Sequence, residues 1–161
     1  MILILLMAAG VMLVDALSKA WASVLLAQFE RVTVLNGLLE LRLTHNSGMA
    51  LGILAGNQVA IILMPLAVIA CGAWLLHRYR LTGFTRVACG LVLGGFLGNF
   101  LERVMHGYVV DMVFFPFMPW FVCNLADIAI CVGVALFGIS LLARPQDWRE
   151  KHAKDHRDGA V

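Results

Sequence analysis

The sequence predicts an all-α integral membrane protein with four transmembrane helices, a small outward-facing β-hairpin or sheet, and an outward loop between helices 3 and 4. Three observations carry that reading. Of the 161 residues, 61% are hydrophobic and only 14% charged, and the mean hydropathy is +0.89; a soluble domain runs near half apolar with about a quarter charged. Four apolar runs come close to the ~20 residues that cross about 30 Å of hydrocarbon as a helix. Lys and Arg are spread unevenly over the connections between those runs, which is how multi-span proteins set their orientation. A net charge of +2, with no basic stretch interleaved with aromatics, argues against a nucleic-acid partner.

The first run extends from Met1 to about Leu26 and is interrupted by Asp15 and Lys19. Its opening has the length of a signal-peptide core. No Lys or Arg precedes it, however, and apolar character resumes after Lys19, so a retained helix is expected. Residues 28–58 follow. Here Arg31-Val-Thr-Val-Leu and Leu39-Glu-Leu-Arg-Leu-Thr-His alternate apolar and polar positions around Asn36-Gly37, the pattern of a β-hairpin with its turn. A lone hairpin is marginal, so it is expected to rest on the membrane surface or over the helix ends. The second run, Val59 to Leu76, carries no charge; the third spans about Arg86 to Leu101, and the fourth about Phe121 to Ala143. Between the last two, about 102–120 reads as an outward loop turned by Pro116 and Pro119. Residues 1–143 then form the membrane domain, and 144–161 a charged tail, solvated from Pro145 onward.

Arg78, Arg80, Arg86, Arg144, Arg149, Lys151, Lys154 and Arg157 fall on one side of this arrangement, and Lys19, Arg31, Arg42 and Arg103 on the other. The positive-inside rule places both termini in the cytoplasm. Cys71, Cys89, Cys123 and Cys131 form no C-x-x-C pair and have no metal-ligand spacing, and three lie in apolar runs, where Cys acts as a small hydrophobe. His152 and His156, four apart in the tail, lack a third ligand nearby and read as a solvated face. No metal and no cofactor is expected.

Ionisable groups inside spans are costly and mark function. Asp15 and Lys19 are spaced as a helical ion pair, with Asp15 about 21 Å from the inner helix end; the pair suits either structural support or substrate contact. Asn99 and Arg103 follow Gly94-Gly95-Phe-Leu-Gly98, small residues that let helices approach closely, and the fork of Arg103 suits a carboxylate or phosphate. Asp111 and Asp127 both emerge on the outer side, at the mouth of a helical hairpin. Two carboxylates held close share a proton, so one can act as base on water and the other as acid. Asn124, one turn before Asp127, shares its face and can orient it. Spacing alone leaves a catalytic pair and a proton or ion relay both open.

At these residues the chain resembles the lipoprotein signal peptidases (signal peptidase II), bacterial intramembrane aspartic peptidases. The matching blocks are Asp15-Ala-Leu-Ser-Lys19, Asn46-Ser-Gly48-Met-Ala50-Leu-Gly52, Gly94-Gly-Phe-Leu-Gly98-Asn99-Phe-Leu-Glu-Arg103, Gly107-Tyr-Val-Val-Asp111 and Asn124-Leu-Ala126-Asp127. The resemblance implies four spans in the cytoplasmic (inner) membrane, an active site towards the periplasm, and a monomer without cofactor. The implied reaction is removal of the signal peptide from a diacylglyceryl-modified prolipoprotein by cleavage before its lipid-modified cysteine, with membrane lipids as the other partner. It implies Asp111 and Asp127 as the catalytic dyad, with Asp15, Lys19, Asn46, Gly48, Asn99, Arg103, Asn124 and Ala126 around substrate and dyad, and the outer hairpin as a lid. Two departures from the family pattern stand out: Met49-Ala50-Leu51 where small-small-aromatic is usual, and Glu102 where Asp is usual. A silent lipoprotein or lipid binder and a small proton-coupled transporter are the alternatives from other classes.

Overall fold

A computed structural model describes residues 1–48, 58–148 and 150. Four helices, α1 (Ile2–Leu26), α2 (Gln58–Arg78), α3 (Gly83–His106) and α4 (Leu125–Ala143), surround the predicted spans, and three of them, α1, α3 and α4, are long and apolar enough to cross a membrane. The strands β1 (Val32–Leu35), β2 (Leu39–Asn46), β3 (Val109–Phe114) and β4 (Val122–Cys123) form one antiparallel sheet in the order β1-β2-β3-β4.

Helix α3 is the axis of the bundle, and its glycines explain why. A Cβ on Gly94 would lie 2.7 Å from the Ala8 carbonyl oxygen and 2.8 Å from Ala8 Cα, so α1 packs backbone to backbone at that point. Gly95, one residue on, meets the Ala126 carbonyl oxygen of α4 in the same way, and Gly133 of α4 faces Ala88 and Val92 of α3. In lipid, where apolar side chains gain little by leaving one apolar medium for another, such close approach is what lets dispersion hold helices together. Helix α2 has α3 as its chief neighbour.

The hairpin forms where expected. Asn36 and Gly37 both adopt positive φ, 35° and 83°, as a tight two-residue turn requires. It does not stand alone, however. β2 pairs along β3, placing Thr44 opposite Asp111 and Asn46 opposite Val109. Leu41, Met112, Val113 and Cys123 of the sheet pack on Ala22 and Leu26 at the C-terminal end of α1, supplying the apolar support that two strands would lack. The hairpin expected as a lid is thus built into the sheet that carries Asp111. The outward loop also differs from expectation. Helix α3 continues to His106, and Gly107 stops it with a φ of 80° while its N–H caps the Arg103 carbonyl. In the remaining loop Val109–Phe114 is strand, followed by turns around Pro116 and Pro119. α4 begins at Leu125 rather than near Phe121, because Asn124 caps it.

The solvated reading of the chain from Pro145 onward fails for its first residues. Pro145–Asp147 make one 3₁₀ turn, and Asp147 is fully buried between the start of α3 and the end of α4. Its carboxylate accepts hydrogen bonds from Thr82 (2.9 Å), Ser140 (2.9 Å) and Arg144 Nε (2.7 Å). The Arg144 bond holds the Asp147 carboxyl below the usual carboxylate range. Trp148 packs edge-on to Tyr79, and Arg78 pairs with Glu150 at 2.8 Å. The segment clasps the C-terminal ends of α2 and α4 and the N-terminal end of α3. His152 and His156 lie outside the described residues.

The backbone contact at Gly94 gives a direct test of this packing. Gly94→Val drives a branched side chain into Ala8 and should destabilise the detergent-solubilised protein by about 1–3 kcal/mol, the usual range for overpacking. Gly10→Ala, where a Cβ meets nothing within 4 Å, should leave the thermal midpoint unchanged or raise it. Equal midpoints for Gly94→Val and the parent protein would disprove the close contact.

Candidate active site

The C-terminal halves of α1 and α3, the first turn of α4 and strand β3 enclose a cluster of charged and amide side chains. Each is placed by local structure. Asn124 is the N-cap of α4, and its side-chain oxygen accepts from the Asp127 N–H at 2.9 Å while Asp127 Oδ2 accepts from the Asn124 N–H at 3.3 Å, a reciprocal capping box. That box fixes the Asp127 carboxylate at the first turn of the helix, where anionic groups are favoured. Asp111 sits on β3, 2% exposed, with Thr44 of β2 opposite it.

The two carboxylates are linked through Asn124. Its side-chain amide donates to Asp111 Oδ1 at 2.6 Å and to Asn99 Oδ1 at 3.2 Å, and Asn99 Nδ2 donates to Asp127 Oδ1 at 2.8 Å. Asn46 Nδ2 donates to Asp111 Oδ2 at 2.8 Å. Asn46 Oδ1 in turn accepts the Gly48 N–H at 3.0 Å, and the Gly48 carbonyl receives Arg103 Nη2 at 2.8 Å. Burial pushes the Asp111 carboxyl up to about 6; the Asn46 hydrogen bond opposes the rise and the charge of Asp127 adds to it.

Asp15 and Lys19 form the expected ion pair at 2.7 Å, both almost fully buried. They do more than orient α1. Asp15 Oδ1 accepts the Ala126 N–H at 2.9 Å, tying α1 to the first turn of α4. Lys19 Nζ also reaches Asn99 Oδ1 at 3.1 Å and Glu102 Oε2 at 2.6 Å, using all three of its protons. Arg103 donates to two backbone carbonyls, those of Asn99 and Gly48, rather than to a carboxylate or phosphate, and its Nε is buried without a partner among the described residues. Asp15, Lys19, Asn46, Gly48, Asn99, Arg103, Asp111, Asn124, Ala126 and Asp127 thus all meet in one place. Met49–Leu51 lie outside the described residues. Sequence reasoning gave Glu102 no role, yet its Oε1 accepts the Val110 N–H at 2.9 Å. Its i, i+3 spacing from Asn99 and the single ammonium of Lys19 among several acids were the available signals. The described residues contain no cluster of three or more His, Cys, Asp or Glu suited to a metal.

A buried pair of carboxylates joined through Asn124, one of them held well above the usual carboxylate range, fits the class of acid–base enzymes that work through a carboxylate pair. A family model described as Signal peptidase (SPase) II matches residues 7–143. The chain belongs to the signal peptidase II family. It is 30% identical over 145 residues to a lipoprotein signal peptidase of Halothermothrix orenii, covering 90% of this chain and 94% of that one. It is also 30% identical over 162 residues to the lipoprotein signal peptidase of Clostridium acetobutylicum, covering 98% and 99%. A solved structure described as a bacterial membrane enzyme shares the fold, with a TM-score of 0.73 at 24% identity over 98% of this chain and 93% of that chain.

The Asn46 contact has a signed consequence. Its N–H stabilises the ionised form of Asp111, so Asn46→Ala should move the Asp111 carboxyl further up from about 6. Carbon-13 titration of selectively labelled aspartate in the purified protein reads this out; an unmoved or lowered titration would contradict the assignment.

Proposed function

We propose that this enzyme cleaves diacylglyceryl-modified prolipoproteins before the lipid-modified cysteine, with Asp111 and Asp127 as its catalytic dyad. As a signal peptidase II, the chain is a protease of aspartic type that removes the signal peptides of lipoproteins. The observation that carries the residue assignment is the linkage of both carboxylates by Asn124. Two carboxylates so placed hold one proton between them. The ionised member takes a proton from water, and the water oxygen bonds to the scissile carbonyl carbon. The protonated member delivers its proton to the carbonyl oxygen, giving a neutral tetrahedral diol. Proton return through the same pair protonates the departing amine as the C–N bond breaks, leaving a carboxylic acid on the signal peptide and a free amine on the lipid-modified cysteine. Asn99, Asn124 and Asn46 keep the carboxylates in register, and Lys19 holds the Asn99 amide with its oxygen turned away from Asp127.

In this reading α2 is the fourth span and all four helices cross the bacterial inner membrane, with both termini in the cytoplasm and the dyad at the periplasmic side. Its support is the grouping of Arg78, Arg80, Arg86 and the Lys and Arg after Ala143 at one end, opposite Asp111 and Asp127. A substrate that is itself lipid-anchored then meets the dyad near the outer lipid boundary. Single cysteines at Gly37 and Asp158, placed in a cysteine-free background, should be labelled by impermeant reagent from the periplasmic and cytoplasmic sides respectively. The reverse pattern would overturn the orientation.

Incubating the purified protein with a diacylglyceryl-modified prolipoprotein and weighing the products tests the dyad. Asp111→Asn and Asp127→Asn should each lower turnover on the order of 10²–10⁴-fold or more. Because the two act as a unit, the double variant should be little worse than either single one. Normal turnover in either folded single variant would refute the assignment.

A further inference from the structure

The mechanism gives no part to Asp15 or Glu102, the other two carboxylates of the cluster; Asp15 ties α1 to α4, and Glu102 reaches the strand that carries Asp111. Glu102 is on α3 one turn after Asn99 and one residue before Arg103, with its side chain 15% exposed. One of its oxygens meets the Lys19 ammonium of α1 at 2.6 Å, and the other accepts the backbone N–H of Val110 at 2.9 Å. The second contact is at a vulnerable point. On its far side β3 is paired by β4 at Val113 and Phe114, and no other strand borders its first half there among the described residues. Val110 N–H is on that free edge, one residue before Asp111, and the Glu102 carboxylate stands in for the missing strand. A buried N–H left without an acceptor costs the desolvation of that group, so the stand-in holds the backbone that carries Asp111. The first contact acts on the other member of the pair. Lys19, fixed between Asp15 and Glu102, donates to Asn99 Oδ1, which turns the amide nitrogen of Asn99 toward Asp127.

We propose that Glu102 is a positioning residue for both carboxylates, setting Asp111 through the Val110 backbone and Asp127 through Lys19 and Asn99. The inference rests on Asp111 and Asp127 being the dyad. Glu102 is where the family usually has Asp; the longer side chain is what spans α1 and β3 at once in this chain. Glu102 touches neither carboxylate, so its loss should be felt in the chemical step rather than in substrate binding.

Glu102→Gln, Glu102→Asp and Asp127→Asn are compared with the parent enzyme on a diacylglyceryl-modified prolipoprotein, reading kcat, KM and the pH profile separately. Glu102→Gln keeps the shape but presents an amide to Lys19. It should lower kcat on the order of 10–10²-fold, as small misplacements of reacting groups do, with KM within about twofold. It also removes a negative charge from the cluster. The groups facing Asp111 are then Asp127 from α4, Lys19 from α1, Arg103 from α3 and the amides of Asn46 and Asn124. With the Lys19 charge less compensated, the Asp111 carboxyl should titrate lower and its limb of the pH profile should move to lower pH, while the fall in kcat at unchanged KM, seen also in the charge-keeping Glu102→Asp, is the effect that a purely structural role would not produce. Glu102→Asp keeps the charge but shortens the reach, so kcat should fall between parent and Glu102→Gln with the pH profile unmoved. Parental kcat and pH profile in Glu102→Gln beside an inactive Asp127→Asn would overturn this inference alone. An active Asp127→Asn would overturn the dyad and this inference with it. Should Glu102→Gln fail to fold, kcat of Glu102→Asp decides: a reduced value at unchanged KM supports the role, and a parental value overturns it.

Discussion

Buried carboxylates persist only where every oxygen has a donor, and this constraint governs the half of the molecule that holds Asp111 and Asp127. Four acids, Asp15, Glu102, Asp111 and Asp127, meet there with two bases, Lys19 and Arg103. Each of the eight carboxylate oxygens receives one donor: Lys19 serves Asp15 and Glu102, the backbone N–H groups of Ala126, Val110 and Asn124 serve three more, and the amides of Asn46, Asn99 and Asn124 serve the rest. Neutral amides carry most of the load next to Asp111 and Asp127. An ammonium in direct contact would hold a carboxylate fully ionised, whereas an amide positions it and leaves it able to take a proton. Neither cation touches the pair: Lys19 is spent on Asp15, Glu102 and the Asn99 side-chain oxygen, and Arg103 on the Asn99 and Gly48 backbone carbonyls.

This accounting requires backbones from three helices and a strand to come within hydrogen-bond reach, and bulky side chains would prevent it. Gly94 lets α1 approach α3, which brings Asp15 and Lys19 to Asn99. Gly95 lets α4 approach α3 from a neighbouring face, which brings Asn124 and Asp127 to the same asparagine. The sheet completes the enclosure from above. Its apolar face rests on Ala22 and Leu26 of α1, so Asp111 is presented by a strand anchored on both sides, by β2 through its ladder and by Glu102 at its free edge. At the opposite end Asp147 solves a similar problem on a smaller scale, accepting from Thr82, Ser140 and Arg144 to join the start of α3 to the end of α4.

Much of this was legible in the sequence because the membrane imposes long apolar runs, against which Asp15, Lys19, Asn99 and Asp127 stand out at once. Asn36-Gly37 announced its turn because few residues other than Asn and Gly accept positive φ. What was hidden depended on pairing at a distance. Val109–Phe114 is a short apolar segment that could pass for helix or loop, and only its ladder with β2 makes it strand. The last turn of α3 was missed because Glu102, Arg103 and His106 interrupt the apolar pattern while the helix runs on to Gly107. The docked turn at Pro145–Asp147 looks like solvated tail by charge, since nothing local reveals that Thr82 and Ser140 wait for the Asp147 carboxylate. Glu102 was passed over for the same reason: its partners are 83 residues back and 8 residues ahead in the chain.

The central claim is that Asp111 and Asp127 behave as one electrostatic unit. The titration of Asp111 in the Asp127→Asn variant tests it most directly, followed by the carbon-13 signal of its labelled carboxyl in the folded, detergent-solubilised protein. The charge of Asp127 helps hold the Asp111 carboxyl up at about 6, so neutralising Asp127 should let Asp111 titrate at lower pH. An Asp111 titration that stays in place when Asp127 loses its charge would contradict the claim.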